Sequence, residues 1–361
     1  MTNRLICPAT PEALVEALTA LVGGADLVVC GLDPARQAND WPDEALPPSF
    51  AGVVVATSGS TGRPKWVMLS RRALIRAAQM THERLGGPAD WVNPLPAHYV
   101  AGLMTIVRAV VGGRSYLAVS PDLSDLPDSD GYLSVVPAQL HRCLDDPILT
   151  GQLSGFQAVL VGGARLDEGL QARAIAAGVR VIATYGMSET CGGVVYDGLP
   201  LPGVTINLDD DSRIGLTTPT LFDGYVGEPD LSAAVRQGST FYTNDRGVLV
   251  EGRLHVLGRI DEVVKSGGVS VDLAGLQGLA DQFFGDQVAV FAVPDPIWGS
   301  RIVVASTGPS WPTINDSLAE IVDSAARPRG FLALDRLPRL ASGKIDRTSL
   351  TERWRNNGEL D

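Results

Sequence analysis

Lysine is nearly missing from this chain of 361 residues. Only three of its 29 basic residues, Lys65, Lys265 and Lys344, are lysine, and the others are arginine. Bases are also outnumbered by 41 acidic residues, for a formal net charge of −12. That deficit argues against nucleic acid as a partner, because displacing phosphate counterions needs a basic face. Cysteine is scarce too: Cys7, Cys30, Cys143 and Cys191 stand far apart and match no zinc or disulfide spacing. No run approaches the about 18 apolar residues of a membrane span, and residues 1–14 lack the apolar core of a signal peptide. The expectation is a cytoplasmic protein without a membrane span.

Several phosphate and nucleophile motifs are absent as well. No G-x-G-x-x-G occurs, so a Rossmann cofactor site is not expected. A Walker loop fails because Arg63 and Pro64 separate Gly62 from Lys65, and Trp66 follows. Around Ser188 the second glycine of a G-x-S-x-G elbow is lacking.

What is present alternates. The first 50 residues read as a helix over 11–22, a strand over 27–30 and a Pro-rich connection. Apolar strand-like runs recur at 52–57, 116–120, 133–136, 158–161 and 179–184. Helical patterns lie at 70–85, 100–111, 138–144 and 167–177. This alternation predicts an α/β fold with a large layered N-terminal domain built on a mostly parallel sheet. From 192 to 258 the helices fade, and Gly, Pro, Asp and short β-branched runs predict a β-rich distal part. After Arg259 come a helix over 273–284, strands over 287–293 and 302–306, a helix over 315–326 and a strand over 330–335. These predict a small C-terminal α+β domain of about 100 residues, enough for a modest core. The expected domains are 1–258 and 262–361.

The apolar run Val53-Val54-Val55-Ala56 leads straight into Thr57-Ser58-Gly59-Ser60-Thr61-Gly62-Arg63-Pro64-Lys65. Small residues let backbone N–H groups approach a phosphate, hydroxyls add donors, and lysine supplies a point charge. A loop at the end of a buried strand is also where α/β proteins place ligands.

This segment resembles the phosphate loop of the acyl-adenylate-forming superfamily, and three more segments agree in order. Tyr185-Gly186-Met187-Ser188-Glu189-Thr190 is similar to the family's Tyr-Gly-x-Ser/Thr-Glu motif. Tyr242-Thr243-Asn244-Asp245, followed by Gly258-Arg259-Ile260-Asp261, resembles its ribose-binding and hinge segments. Ser342-Gly343-Lys344-Ile345-Asp346-Arg347 resembles its catalytic-lysine motif. The motifs span 57 to 347 and leave out the first 50 residues. The chain is short ahead of its phosphate loop for the family, so part of the usual N-terminal subdomain is expected to be missing.

The resemblance implies a two-step reaction. A carboxylate attacks the α-phosphate of Mg-ATP to give an acyl-adenylate, and in the ligases the thiol of coenzyme A then displaces AMP. It implies that Thr57, Ser58, Gly59, Ser60, Thr61, Gly62 and Lys65 hold the β- and γ-phosphates. Glu189 would ligate Mg²⁺ and Ser188 would donate to the α-phosphate. Gly162, Gly163 and Ala164, with Thr184, Tyr185 and Gly186, would form the adenine slot. Asp245 would meet the ribose, Arg259 the ribose or a phosphate, and Asp261 would be the hinge of a mobile C-terminal domain. Lys344 would bridge the acyl carboxylate and the α-phosphate, and Gly268 would line the pantetheine tunnel. Lys265 is either a solvated strand residue or part of the thioester-forming face. His98 and Met187 would border the acyl pocket.

Residues 135–142 and 191–198, and the short chain, resemble the bacterial, particularly actinobacterial, o-succinylbenzoate–CoA ligases of menaquinone biosynthesis. Their substrate is an aromatic dicarboxylate, for whose second carboxylate Arg142 and His98 are the candidates. Three other readings stay open: another aryl- or acyl-CoA ligase, an adenylation enzyme loading a carrier protein, and a nucleotide sensor without chemistry. A homodimer is also left open.

Overall fold

A computed structural model describes residues 4–6, 8, 10–30, 46–57, 65–319, 321–322, 324, 326–339, 345–357 and 359–360. The chain forms two compact units. The first comprises 1–207, 215–243 and 249–255, and the second 208–214, 244–248 and 256–361.

The first unit opens with β1 (Arg4–Ile6), α1 (Pro11–Val22), β2 (Leu27–Cys30), β3 (Gly52–Thr57) and β4 (Lys65–Ser70). Thr10 starts α1 by accepting from Ala13 N at 3.2 Å, with Pro11 in the first turn. Then follow α2 (Arg71–Leu85), β5 (Trp91–Asn93), α3 (Val100–Gly112), β6 (Tyr116–Ala118), β7 (Tyr132–Val135), α4 (Pro137–Leu144) and α5 (Pro147–Gly155). The run ends with β8 (Ala158–Val161), α6 (Glu168–Ala176), β9 (Val181–Met187), β10 (Gly192–Tyr196) and β11 (Leu199–Pro200).

One sheet has the order β11-β10-β9-β8-β7-β5-β6, parallel from β6 through β9 and antiparallel beyond. A second sheet runs β1-β2-β3-β4 and is closed by the two-residue strand Gly224–Tyr225. Between 200 and 224 lie β12 (Thr205–Leu208) and β13 (Arg213–Thr217), so Gly224–Tyr225 is β14.

Helices α1, α2 and α3 meet β3 and β4 in one core, through Leu14, Leu18, Leu74, Leu103, Ile106, Val53, Val55, Val67 and Leu69. The opposite face of that sheet buries Val54, Trp66 and Met68. Val53, Val54 and Val55 are all buried because both faces of the strand are covered. Helices α4, α5 and α6 cover the seven-stranded sheet through Leu140, Cys143, Leu153 and Leu170.

The chain goes on through α7 (Pro229–Ala234), β15 (Arg236–Gln237), β16 (Thr240–Val250) and β17 (Arg253–Arg259). Residues of β16 belong to both units, so the second unit takes in short segments ahead of the expected boundary at 258–262. That unit holds β18 (Val263–Ser266), β19 (Val269–Asp272), α8 (Leu273–Phe284), β20 (Val288–Asp295), β21 (Gly299–Ser306), α9 (Trp311–Ala319), β22 (Gly330–Ala333) and α10 (Arg347–Asn357). Along β20 and β21, Val288, Val290, Ile302 and Val304 face α8 and α9, whereas Ala289, Phe291, Val303 and Ala305 face α10.

Some expected elements differ. β4, β5, α5 and α10 were not foreseen. Helix α9 starts at Trp311 rather than 315, because Pro312 fits a first helical turn that needs no N–H there. β9 runs on to Met187, which puts Tyr185-Gly186-Met187 in a strand. Among the described residues no helix is long and apolar enough to cross a membrane.

Candidate active site

Antiparallel pairing flanks two of the expected functional loops. Thr57 and Lys65 pair as the last rung between β3 and β4, and Thr57 Oγ1 donates to Lys65 O at 3.4 Å. Ser58, Gly59, Ser60, Thr61 and Gly62 lie outside the described residues, as does Lys344. An antiparallel bridge between Arg339 and Ile345 flanks the segment that carries Lys344. Asp346 then starts α10, accepting from Ser349 N at 3.1 Å and Ser349 Oγ at 2.7 Å.

The Tyr185–Thr190 motif forms the end of β9 and a single 3₁₀ turn, Ser188–Thr190. Gly186 is needed there: a Cβ would lie 2.0 Å from Gly192 O across the turn. Thr190 Oγ1 closes the turn, accepting from Met187 N at 3.0 Å and donating to Gly192 O at 2.8 Å. Cys191 is buried in a left-handed conformation at φ 55°, and burial pushes its thiol far up.

Segment 220–225 runs along this turn. Phe222 N donates to Glu189 O at 2.9 Å, and Thr220 Oγ1 donates to Thr190 O at 3.0 Å. Tyr225 Oη donates to Glu189 Oε1 at 2.8 Å, while Lys65 Nζ lies 5.4 Å from the centroid of the Tyr225 ring. Burial first, then the Glu189 charge, holds the Tyr225 phenol above its ordinary value. Lys65, Glu189 and Tyr225 therefore converge. The first two are legible in the motifs; Tyr225 is not, although it pairs with Val67 on β4, two residues from Lys65.

Beside this group, Thr184 Oγ1 donates to Val161 O at 3.2 Å. A Cβ on Gly162 would stand 2.4 Å from that hydroxyl, so the expected adenine-slot residues just past β8 and on β9 are in close approach. Gly163 has φ +80°, and Gly163 and Ala164 are exposed. Tyr185, Met187, Ser188 and Glu189 are half-buried. His98 is half-buried just ahead of α3, its ring 4.4 Å from that of Tyr99.

Arg142 is exposed on α4, in the outer helix layer. A different arginine is buried. Arg108 on α3 is 5% exposed, stacks 5.1 Å from the Trp91 ring, and has an Nε without a hydrogen-bond partner. Its Nη2 lies 3.9 Å from where a Gly192 Cβ would stand, beside the Ser188–Thr190 turn. Burial, then the Arg108 charge, pushes His82 below its ordinary value. Its place on an apolar helix disguised Arg108 in the sequence.

The second unit gathers Asp245, Arg259 and Asp261. Arg259 donates from Nε and Nη2 to the two Asp261 oxygens at 2.7 and 2.6 Å, and its Nη1 lies 4.0 Å from Asp245 Oδ1. Burial opposes ionisation of Asp261, but hydrogen bonds and charge from Arg259 prevail and hold its carboxyl below the usual value. Next to it, Arg347 Nη1 donates to Glu262 Oε1 at 2.7 Å. Lys265 is exposed on β18 with Nζ 2.7 Å from Ser270 Oγ, and Gly267 and Gly268 make the turn at φ 57° and 81°.

The chemistry of Glu189 fits Mg²⁺. One half-buried carboxylate that shares Tyr225 with the Lys65 ammonium suits an ion that is held chiefly by phosphate oxygens and water.

The sequence profile of the AMP-binding enzyme family matches residues 13–230, so the likeness reaches into the first 50 residues that the motifs leave out. A probable 2-succinylbenzoate–CoA ligase of Mycobacterium tuberculosis is 35% identical over 96% of this chain and 97% of that protein. The 2-succinylbenzoate–CoA ligase of Lactococcus lactis is 27% identical over 94% of this chain and 78% of that protein. The fold is shared with Bacillus subtilis o-succinylbenzoate CoA synthetase in complex with its acyl-adenylate intermediate. The TM-score is 0.81 at 21% identity, over 97% of this chain and 87% of that one.

Proposed function

Because this chain belongs to the AMP-binding enzyme family, we propose that it converts o-succinylbenzoate to o-succinylbenzoyl-CoA in the cytoplasm, through an acyl-adenylate. One observation carries the choice of acid: the match to the M. tuberculosis ligase over nearly the whole of both chains. ATP and coenzyme A are the co-substrates, and AMP and pyrophosphate leave.

In the first step a carboxylate oxygen of the acid bonds to the α-phosphorus and the bond to pyrophosphate breaks. Lys65 and residues 57–62 hold the β- and γ-phosphates, Ser188 donates to the α-phosphate, and Glu189 is the protein ligand of Mg²⁺. The ion supplies charge neutralisation on the phosphate oxygens. Lys344 bridges the attacking carboxylate and the α-phosphate, where preorganised positive charge lowers the barrier most. Gly162, Gly163, Ala164, Thr184, Tyr185 and Gly186 bound the adenine, and Asp245 and Arg259 the ribose. In the second step the coenzyme A thiol, arriving past Gly268, releases its proton to solvent as its sulfur bonds to the acyl carbon, and the bond from that carbon to the AMP oxygen breaks, AMP keeping the electron pair. Asp261 is the hinge between the steps.

His98 and Met187 line the acyl pocket. For the carboxylate that is not activated, Arg108 is better suited than Arg142. It is buried beside the Ser188–Thr190 turn with a donor to spare, and an unpaired buried guanidinium gains most from an anion. The test is coenzyme A-dependent AMP production from o-succinylbenzoate, benzoate and a medium-chain fatty acid. Preference for o-succinylbenzoate is expected. Equal or better turnover of another acid would make the enzyme a different acyl-CoA ligase, and adenylation without thioester formation would point to a carrier protein.

A further inference from the structure

Lys65 and Glu189 carry opposite charges and both approach Tyr225, yet no ion pair joins them among the described residues. The tyrosine is the residue that both contact. Its ring face receives the ammonium, and its hydroxyl, at the ring's far end, donates to the carboxylate.

Tyr225 is itself firmly held. Its partner on β4 is Val67, which makes it the diagonal neighbour of Lys65 across the ladder. Its N–H donates to Ser232 Oγ at 2.8 Å, and its ring packs 4.9 Å from that of Phe222. The side chain is 5% exposed, so it cannot swing away from both charges without opening the core.

We propose that Tyr225 is a positioning residue that keeps Lys65 and Glu189 apart and aimed, so that Mg-ATP meets two separated charges instead of an ion pair. The proposal rests on the reading that the first unit binds Mg-ATP. Charges paired to each other would have to separate before one could bind phosphate and the other the cation. An aromatic spacer holds each charge from one side only, so that the second carboxylate oxygen and the remaining ammonium protons stay open to Mg-ATP. The two halves of the side chain then have different duties: the hydroxyl serves the cation ligand, and the ring serves the phosphate-binding lysine.

The experiment is calorimetric titration of the full chain with ATP, with and without Mg²⁺, for the wild type, Tyr225→Phe and Tyr225→Leu. Tyr225→Phe keeps the ring. It should weaken Mg-ATP by about 3- to 10-fold, as expected for one lost hydrogen bond, and leave metal-free ATP binding unchanged. Tyr225→Leu removes both partners and should weaken ATP under both conditions. Wild-type affinity for Mg-ATP in Tyr225→Phe would overturn the proposal, as would an equal loss with and without Mg²⁺, which a merely structural role would give. If Tyr225→Leu fails to fold, the ratio measured for Tyr225→Phe still decides. A wild type that binds no Mg-ATP would instead sink the functional reading, and this inference with it.

Discussion

Arg259 clasps Asp261 with two parallel hydrogen bonds, so the residue assigned to the ribose and the residue assigned to the hinge are partners. The clasp needs an ionised Asp261. Its folded-state pKa is below the unfolded value, so the clasp contributes fully above about pH 4 and is lost as pH falls through the lowered value. Both side chains are about a third or more exposed, which limits the contribution to about 0.5 kcal/mol. Arg259→Ala should raise the Asp261 titration midpoint, read by carboxyl NMR. An unmoved midpoint would show that the clasp does not hold the charge.

Arg108→Met removes the buried guanidinium but keeps bulk on α3. The expected result is a KM for o-succinylbenzoate raised by about 10- to 100-fold, the worth of charge-assisted hydrogen bonds. Turnover of a monocarboxylic aryl acid should barely change. Stability should hold or rise, because an unpaired buried charge is replaced by an apolar chain. Equal losses for both acids would remove Arg108 from recognition of the second carboxylate.

Gly186→Ala tests the turn. A methyl 2.0 Å from a backbone oxygen forces β9 and β10 apart. Overpacking of this kind costs about 1–3 kcal/mol, or a Tm lowered by about 2–10 °C in a chain of this size. Calorimetry should show that drop together with weaker ATP binding. An unchanged Tm would mean that the hairpin accommodates the methyl group.

Lys344→Ala should abolish adenylate formation and spare thioester formation from supplied acyl-adenylate. Equal loss in both half-reactions, followed by pyrophosphate release and by thioester yield, would end the role assigned to this lysine.

How much of this could be read from residues alone depended on whether the signal was local. The run Val53–Val55 announced a buried strand, and the apolar spacing over 11–22 announced α1. Strand β4 was hidden because Lys65-Trp66-Val67-Met68-Leu69-Ser70 alternates between two cores, each apolar, and so shows no polar face. Tyr225 was hidden for a different reason. A two-residue strand reads as a turn, and the bond to Glu189 spans 36 positions of the chain. Arg108 sits among Ile106, Val107 and Ala109, where the pattern records only that the helix is buried. Chemistry carried by consecutive residues was legible; chemistry made by elements meeting in space was not.

The rung between Thr57 and Lys65 makes the placement of the ammonium a question of parity. Lys65 shares its face of β4 with Val67 and Leu69, and the next residue, Trp66, belongs to the other side. Residues gained or lost ahead of Lys65 leave that parity untouched. One residue inserted between Lys65 and Val67 would send the charge to the opposite side of the sheet, away from Tyr225. Redesign around the lysine must therefore keep an even number of positions from Lys65 to Val67 and to Leu69.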